Sequence, residues 1–239
     1  MKRRPLLDRL VSTYPDEQRE RLLSLILCGD VRVNASRIRD PRHAVSEDDQ
    51  IVIVRERFVG RGGTKLDPAL DAFGVDPSGL VVIDVGASTG GFTDCLLQRG
   101  ARAVHAVDVG RNQLDYRLRS DDRVIVHERT NIASVESLDP RPDFAVVDVS
   151  FRSLRGIAAH ILRLTRSGRG LFLIKPQFEW SDAPDSFDGV VPASEAEPIV
   201  ATTVAMLRDE GVEIRHVVES PVRGRRGNRE FFGDAWAIS

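Results

Sequence analysis

From residue 80 onward the chain repeats one signal, an apolar run of about half a dozen residues closed by a polar break. The runs are "LVVIDVG", "AVHAVDVG", "VIVHERT", "FAVVDVSF" and "LFLIKPQF". They are mostly unbroken rather than alternating, which marks strands buried on both faces. Helical spacing between most of them predicts helices at 90–99, 153–165 and 194–210, and a further helix in "TKLDPALDAFGV" leads into the first run. Strands alternating with helices mean βαβ units and a parallel sheet. The end of the chain breaks the rule, because "VEIRHVVES" and "REFFGDAWAIS" follow each other with only a Gly/Arg-rich turn between them. They read as a final antiparallel pair. The Ser-, Asp-, Pro- and Gly-rich stretch 181–193 reads as a mobile loop.

The first 57 residues carry a different pattern. "DEQRERLLSLILCGDV" has apolar positions at helical spacing and stops at Gly29. Short alternating segments follow, broken at Asn34, at Asp40-Pro41 and at residues 47–49. A helical hairpin with a small curled sheet is the expectation. "RFVGRGGT" holds three glycines among residues 60–63 and reads as a linker at 58–63. The expected organisation is therefore a small α+β domain (1–57), that linker, and an α/β domain with a mostly parallel sheet (64–239).

Charge sharpens this division. Residues 1–65 hold 14 Lys/Arg against 10 Asp/Glu, net +4, and the remainder holds 20 against 26, net −6, for a total of −2. A basic front module on an acidic body suggests that the front end meets a polyanion. Cys28 and Cys95 lie in apolar periodic stretches, so they read as buried thiols rather than a disulfide or a metal pair. With no signal peptide and no apolar stretch approaching the roughly 18 residues of a membrane helix, a cytoplasmic protein is expected.

"VIDVGASTGGFTDCLL" puts glycines where a buried strand turns into a helix, so backbone can approach a ligand and free N–H groups point at it. The spacing is not the Gly-x-Gly-x-x-Gly of dinucleotide sites. No basic residue lies in the loop to meet a pyrophosphate, which favours S-adenosylmethionine over NAD. The next run ends in Asp108, about 20 residues on, where a carboxylate can take a ribose diol. The candidate cofactor set is Asp84, Gly86, Ser88, Thr89, Gly90, Gly91, Phe92, Asp108 and Asn131.

Open parallel sheets bind ligands at the carboxyl ends of their strands. Asp148 and Lys175 stand at two such ends, and Glu230 begins the last strand, which runs the other way and so starts at the same edge. Lys65 opens the helix that feeds the first strand, placing it there too. Of 34 basic residues only Lys2, Lys65 and Lys175 are lysines. Arginine cannot be deprotonated whereas lysine can. A lysine kept at a strand end in an arginine-rich chain therefore points to proton chemistry.

Lys65, Asp148, Lys175 and Glu230, together with "DVGASTGGF", resemble the Lys-Asp-Lys-Glu tetrad of FtsJ-type ribose 2′-O-methyltransferases. "RGGTKL", "VDVSF", "LIKPQFE" and "GNREFF" are similar to the TlyA branch, and "LILCGDVRVN" resembles its front domain, of the kind found in ribosomal protein S-four. The resemblance covers almost the whole chain. It implies a class I methyltransferase fold and methyl transfer from S-adenosylmethionine to a cytidine 2′-hydroxyl of ribosomal RNA. Large-subunit RNA is favoured, with the small subunit as the further target of longer members. Lys175 would deprotonate or orient the hydroxyl, Asp148 would hold Lys175, and Lys65 and Glu230 would fix the hydroxyl and the amine. Arg32, Arg37, Arg39, Arg42, Arg61, Arg223, Arg225, Arg226 and Arg229 are the candidate RNA contacts. No metal and no obligate protein partner are expected. Because members of this branch have been labelled haemolysins, a membrane-lytic protein is the rival reading, and a non-catalytic RNA-binding protein is another.

Overall fold

The structure is a computed structural model and describes residues 3–54 and 57–238. Lys2 and residues 55 and 56, beside the expected boundary at 57, lie outside the described residues. In the front part β1 (Arg4–Pro5), α1 (Leu6–Thr13), α2 (Arg19–Cys28), β2 (Val31–Val33), β3 (Ser36–Ile38), β4 (Ala44–Val45) and β5 (Ile51–Ile53) follow in order. β1 pairs with β4, and a second sheet has the order β3-β2-β5, antiparallel throughout. α2 stops where expected, at Gly29 in the left-handed region (φ 77°). Leu6, Leu10, Leu22, Ile26, Val31 and Val45 form a core of their own.

The remainder runs α3 (Arg61–Ala72), β6 (Val81–Val85), α4 (Gly91–Gln98), β7 (Ala103–Val107), α5 (Tyr116–Arg119), β8 (Val124–His127), β9 (Phe144–Val147), α6 (Ala158–Leu164), β10 (Arg169–Ile174), α7 (Pro176–Glu179), α8 (Ala193–Asp209), β11 (Val212–Glu219) and β12 (Phe231–Ala237). A 3-10 turn, Ile132–Ser134, sits between β8 and β9. The seven strands order as β11-β12-β10-β9-β6-β7-β8, with β12 antiparallel to both neighbours. Alternate residues of β6 enter different cores. Ile83 and Val85 pack with α6 and α8 residues such as Ile161 and Val200, while Val82 packs with Leu66, Leu70 and Leu96 of α3 and α4. Burial on both faces explains the unbroken apolar runs.

Three expectations are corrected. The glycine stretch is not a free linker, because α3 begins at Arg61 and Phe58 is buried. A side chain on Gly91 would come within 3.0 Å of Gly62 backbone, so these glycines let the starts of α3 and α4 pack backbone to backbone. The helix expected at 153–165 is shorter, because Glu179 accepts from Leu154 N–H (2.8 Å) and Ser153 Oγ (2.5 Å) and holds that segment as a turn. The 181–193 stretch is tied down. Asn228 accepts from Val191 N–H and donates to Gly189 O, each at 2.8 Å, and Phe187 packs edge-on against Trp180.

Candidate active site

The turn from β6 into α4 holds the backbone close to the end of β9. Gly86 has φ 86°, and a side chain there would strike the carbonyl of Asp148. Asp108, just past β7, accepts from Ser88 N–H at 2.8 Å and Gly110 N–H at 2.6 Å, which fixes both its carboxylate and the loop. Asn131 Oδ1 caps the 3-10 turn by accepting from Ala133 N–H at 3.1 Å. A cavity of about 1020 Å³ is lined by Gly86, Ser88, Thr89, Gly91, Phe92, Asp108 and Asn131 on this side.

Two residues of the expected cofactor set stand back from that cavity. Asp84 is fully buried inside β6, with Oδ2 taking the Thr93 hydroxyl at 2.6 Å and Oδ1 left without a donor. Burial pushes its carboxyl up to about 7 against the pull of the Thr93 hydrogen bond, with the Asp148 charge adding to the rise. It is the fourth of the five residues of β6, and its side chain turns toward Thr93 of α4 rather than into the cavity. Gly90 (φ 94°) faces Leu114 and Leu118, on and just before α5, and serves the packing of the loop.

The two lysines and two carboxylates stand in the same cavity as two ion pairs. Lys65 Nζ lies 2.6 Å from Glu230 Oε2, with both residues buried. Lys65 is the fifth residue of α3 rather than its opening residue, and Glu230 immediately precedes β12. Lys175 caps α7, with Pro176 in the first turn where a missing N–H does no harm. Its Nζ lies 2.5 Å from Asp148 Oδ1 and donates to Ser150 Oγ at 2.8 Å. The contact with Asp148 is an ion pair rather than an aligned hydrogen bond, so that oxygen has no hydrogen-bond donor. All four residues line the one cavity.

The arginines divide. Arg61, Arg225 and Arg226 line the cavity, and Arg226 reaches Asp188 through its carbonyl and, at 3.6 Å, its carboxylate. Arg223 and Arg229 do not line it. Arg229 is held by Glu219 and Glu197, each at 2.7 Å, and Arg223 lies 3.7 Å from Glu219. Arg229 is thus a strut between β11 and α8. Arg32, Arg37, Arg39 and Arg42 belong to the front part. Arg37 donates to Gly29 O at 2.7 Å, and Arg42 is exposed beside Asp40.

Several cavity residues lie outside the sequence-derived set, Ser150, Phe151, Arg152, Gln177 and Phe178 among them. Phe151 is 91% exposed with a left-handed backbone (φ 61°) and leans on Phe178, 5.4 Å between ring centroids. Arg152 and Gln177 flank them, and Ser150 holds Lys175. The available signal was the aromatic placed directly after the break in "VDVSF". A solvent-facing phenylalanine on a left-handed backbone costs stability, which marks Phe151 as a candidate ligand contact.

Comparison with known proteins identifies the family and its relatives. Residues 58–233 match the FtsJ-like methyltransferase description. The chain is 37% identical over 222 residues to the 16S/23S rRNA (cytidine-2′-O)-methyltransferase TlyA of Mycobacterium tuberculosis, covering 90% of this chain and 82% of that protein. It is also 37% identical over 221 residues to Hemolysin A of Brachyspira hyodysenteriae, covering 90% and 92%. A solved structure from Streptococcus thermophilus that carries a hemolysin name superposes with a TM-score of 0.72 at 34% identity, over 100% of this chain and 90% of that one.

Proposed function

The chain belongs to the FtsJ-like methyltransferase family, and from that premise we propose that it transfers a methyl group from S-adenosylmethionine to the ribose 2′-hydroxyl of a cytidine in ribosomal RNA. The carrying observation is that two lysine–carboxylate pairs, one buried and one with its carboxylate partly exposed, share one cavity with a glycine turn and a rim of arginines. Large-subunit RNA is the favoured target and the small subunit the second. The work is cytoplasmic, on ribosomal RNA or a ribosomal subunit, without an obligate protein partner. No described helix is long and apolar enough to cross a membrane, which gives the lytic reading no support of that kind.

The residues at the glycine end suit an adenosyl ligand. Asp108 presents a carboxylate for a ribose diol, Asn131 presents an amide, and no basic side chain stands in the turn to meet a pyrophosphate. When bound, the cofactor supplies an electrophilic methyl on a sulfonium sulfur. The chain's own part is positioning and proton handling. An amine on Lys175 has three positions beyond its carbon. Asp148 Oδ1 and Ser150 Oγ face two of them, which leaves the third for the incoming hydroxyl. From there Lys175, as the neutral amine with its N–H groups toward Asp148 and Ser150, would orient the hydroxyl through its lone pair and accept its proton. Lys65 and Glu230, locked to each other, fix the far side of the ribose. Phe151 and Phe178 offer ring faces for an unstacked base, and Arg61, Arg152, Arg225 and Arg226 offer charge to the flanking phosphates.

The test is a ribose-methylation map of both ribosomal RNAs from a strain lacking this chain, with the purified protein added back to the unmodified RNA. Loss of one 2′-O-methylcytidine and its restoration is the expected result. Identical maps and no transfer in vitro would overturn the reading.

A further inference from the structure

Gln177 stands two residues beyond Lys175, in the turn of α7. Its side chain lines the cavity beside Phe178, Phe151 and Arg152, yet its Oε1 is buried and has no hydrogen-bond partner. A desolvated acceptor without a donor opposes folding, and such atoms in native structures call for an explanation. Glu179, two residues on, shows that the same turn can satisfy its polar atoms, because both its oxygens accept hydrogen bonds. The orphan oxygen is therefore not a general failing of this segment.

We propose that Gln177 reads the target base by accepting a hydrogen bond from the exocyclic amine of the cytosine. This rests on the reading that the substrate is a cytidine in an RNA chain. Inside such a chain the 3′ and 5′ oxygens are esterified and donate nothing. The only donors on the target nucleotide are then its 2′-hydroxyl and the N–H groups of its base. The 2′-hydroxyl is engaged at Lys175. Cytosine has one donating group on its base, the amine at C4, and the ring nitrogen beside it is an acceptor. A glutamine amide matches that pair, its oxygen taking the amine and its NH₂ facing the ring nitrogen. The base is joined to the carbon next to the reacting hydroxyl, so the cavity that takes the hydroxyl at Lys175 also takes the base, and Gln177 lines that cavity.

The test crosses a protein change with a substrate change. The protein is the full chain, wild type or Gln177→Met, which keeps length and volume but removes the acceptor. The substrate is an rRNA fragment carrying either the target cytidine or the pyrimidin-2-one ribonucleoside, which lacks only the amine. Methyl transfer is read as kcat/KM, and S-adenosylmethionine affinity is measured alongside. Wild type should lose roughly ten-fold on the amine-free substrate. Gln177→Met should lose a similar factor on cytidine, keep its cofactor affinity, and lose nothing further on the amine-free substrate. Losses that multiply, or equal turnover of both substrates by wild type, would overturn the proposal. The second outcome needs no variant to fold. A wild type that methylates no cytidine at all would instead overturn the functional reading, which separates the two failures.

Discussion

Cys28 and Asp115 meet across the two halves of the chain, the thiol donating to the carboxylate Oδ1 at 3.2 Å. Burial, reinforced by that carboxylate, pushes the thiol up to about 11 and keeps it protonated. Asp115 also caps α5, and its own N–H donates to Thr89 O in the glycine turn at 3.1 Å. One residue therefore touches both the front module and the glycine turn. Arg117 completes the contact, 3.2 Å from Asp115 and 3.3 Å from the buried Asp30.

Arg117→Ala is expected to loosen the docking of the halves. The guanidinium is partly exposed, so the ion pair is worth about 1 kcal/mol at most. Limited proteolysis should cut between the halves several times faster in the variant, with the catalytic half persisting as a fragment. Equal cutting rates would place the docking energy elsewhere.

Lys175→Arg keeps the charge but loses the removable proton and the single-point geometry that Asp148 and Ser150 hold. Methyl transfer should fall by about 10²–10⁴-fold, with cofactor affinity nearly unchanged. Turnover within a few-fold of wild type would remove Lys175 from proton transfer.

RNA affinity over a salt series should separate gripping arginines from structural ones. Arg225 and Arg226 line the cavity, so neutralising both should lower the slope magnitude by up to about two units. Arg39 and Arg42, both exposed on the front part, should lower it as well if that module holds phosphates. Arg229→Ala should leave the slope alone and lower the melting temperature, because the bridge from Glu219 of β11 to Glu197 of α8 is lost. A slope change in Arg229→Ala equal to that of the Arg225/Arg226 pair would contradict the division.

Asp84→Asn should alter the dependence of stability on pH. With its folded carboxyl raised from 3.8 to about 7, the native chain holds a proton that the unfolded chain releases. Stability from this group therefore falls as pH rises through about 4 to 7 and is level above. His105 and His127 act in the opposite sense, since burial lowers both and their contribution is lost as pH drops below 6.5. They are common to variant and wild type and cancel in the difference. Urea midpoints should show the variant gaining on wild type by on the order of 2–4 kcal/mol between pH 4 and 7. A constant difference across that range would mean Asp84 is ionised throughout.

The parallel sheet was legible because burial on both faces writes itself as runs such as "VVIDV", and the strand-end chemistry because lysine is rare in this chain. What escaped depends on contacts between distant segments. Gly60 to Gly63 read as a linker by propensity, yet packing against Gly91 makes part of that stretch helix. The anchoring of 181–193 depends on Asn228, nearly forty residues away. α5 and α7, four residues each, are too short to show a period. Arg229 looks like its neighbours in sequence, and only its two glutamates set it apart.

Lys65 and Glu230 are 165 positions apart, yet each completes the other. The amine rides on α3 and its carboxylate on the entry to β12, so the pair exists only while both elements are seated on the sheet. Loosening either one unseats both side chains together, which makes this contact a gauge of whether the two flanks are closed.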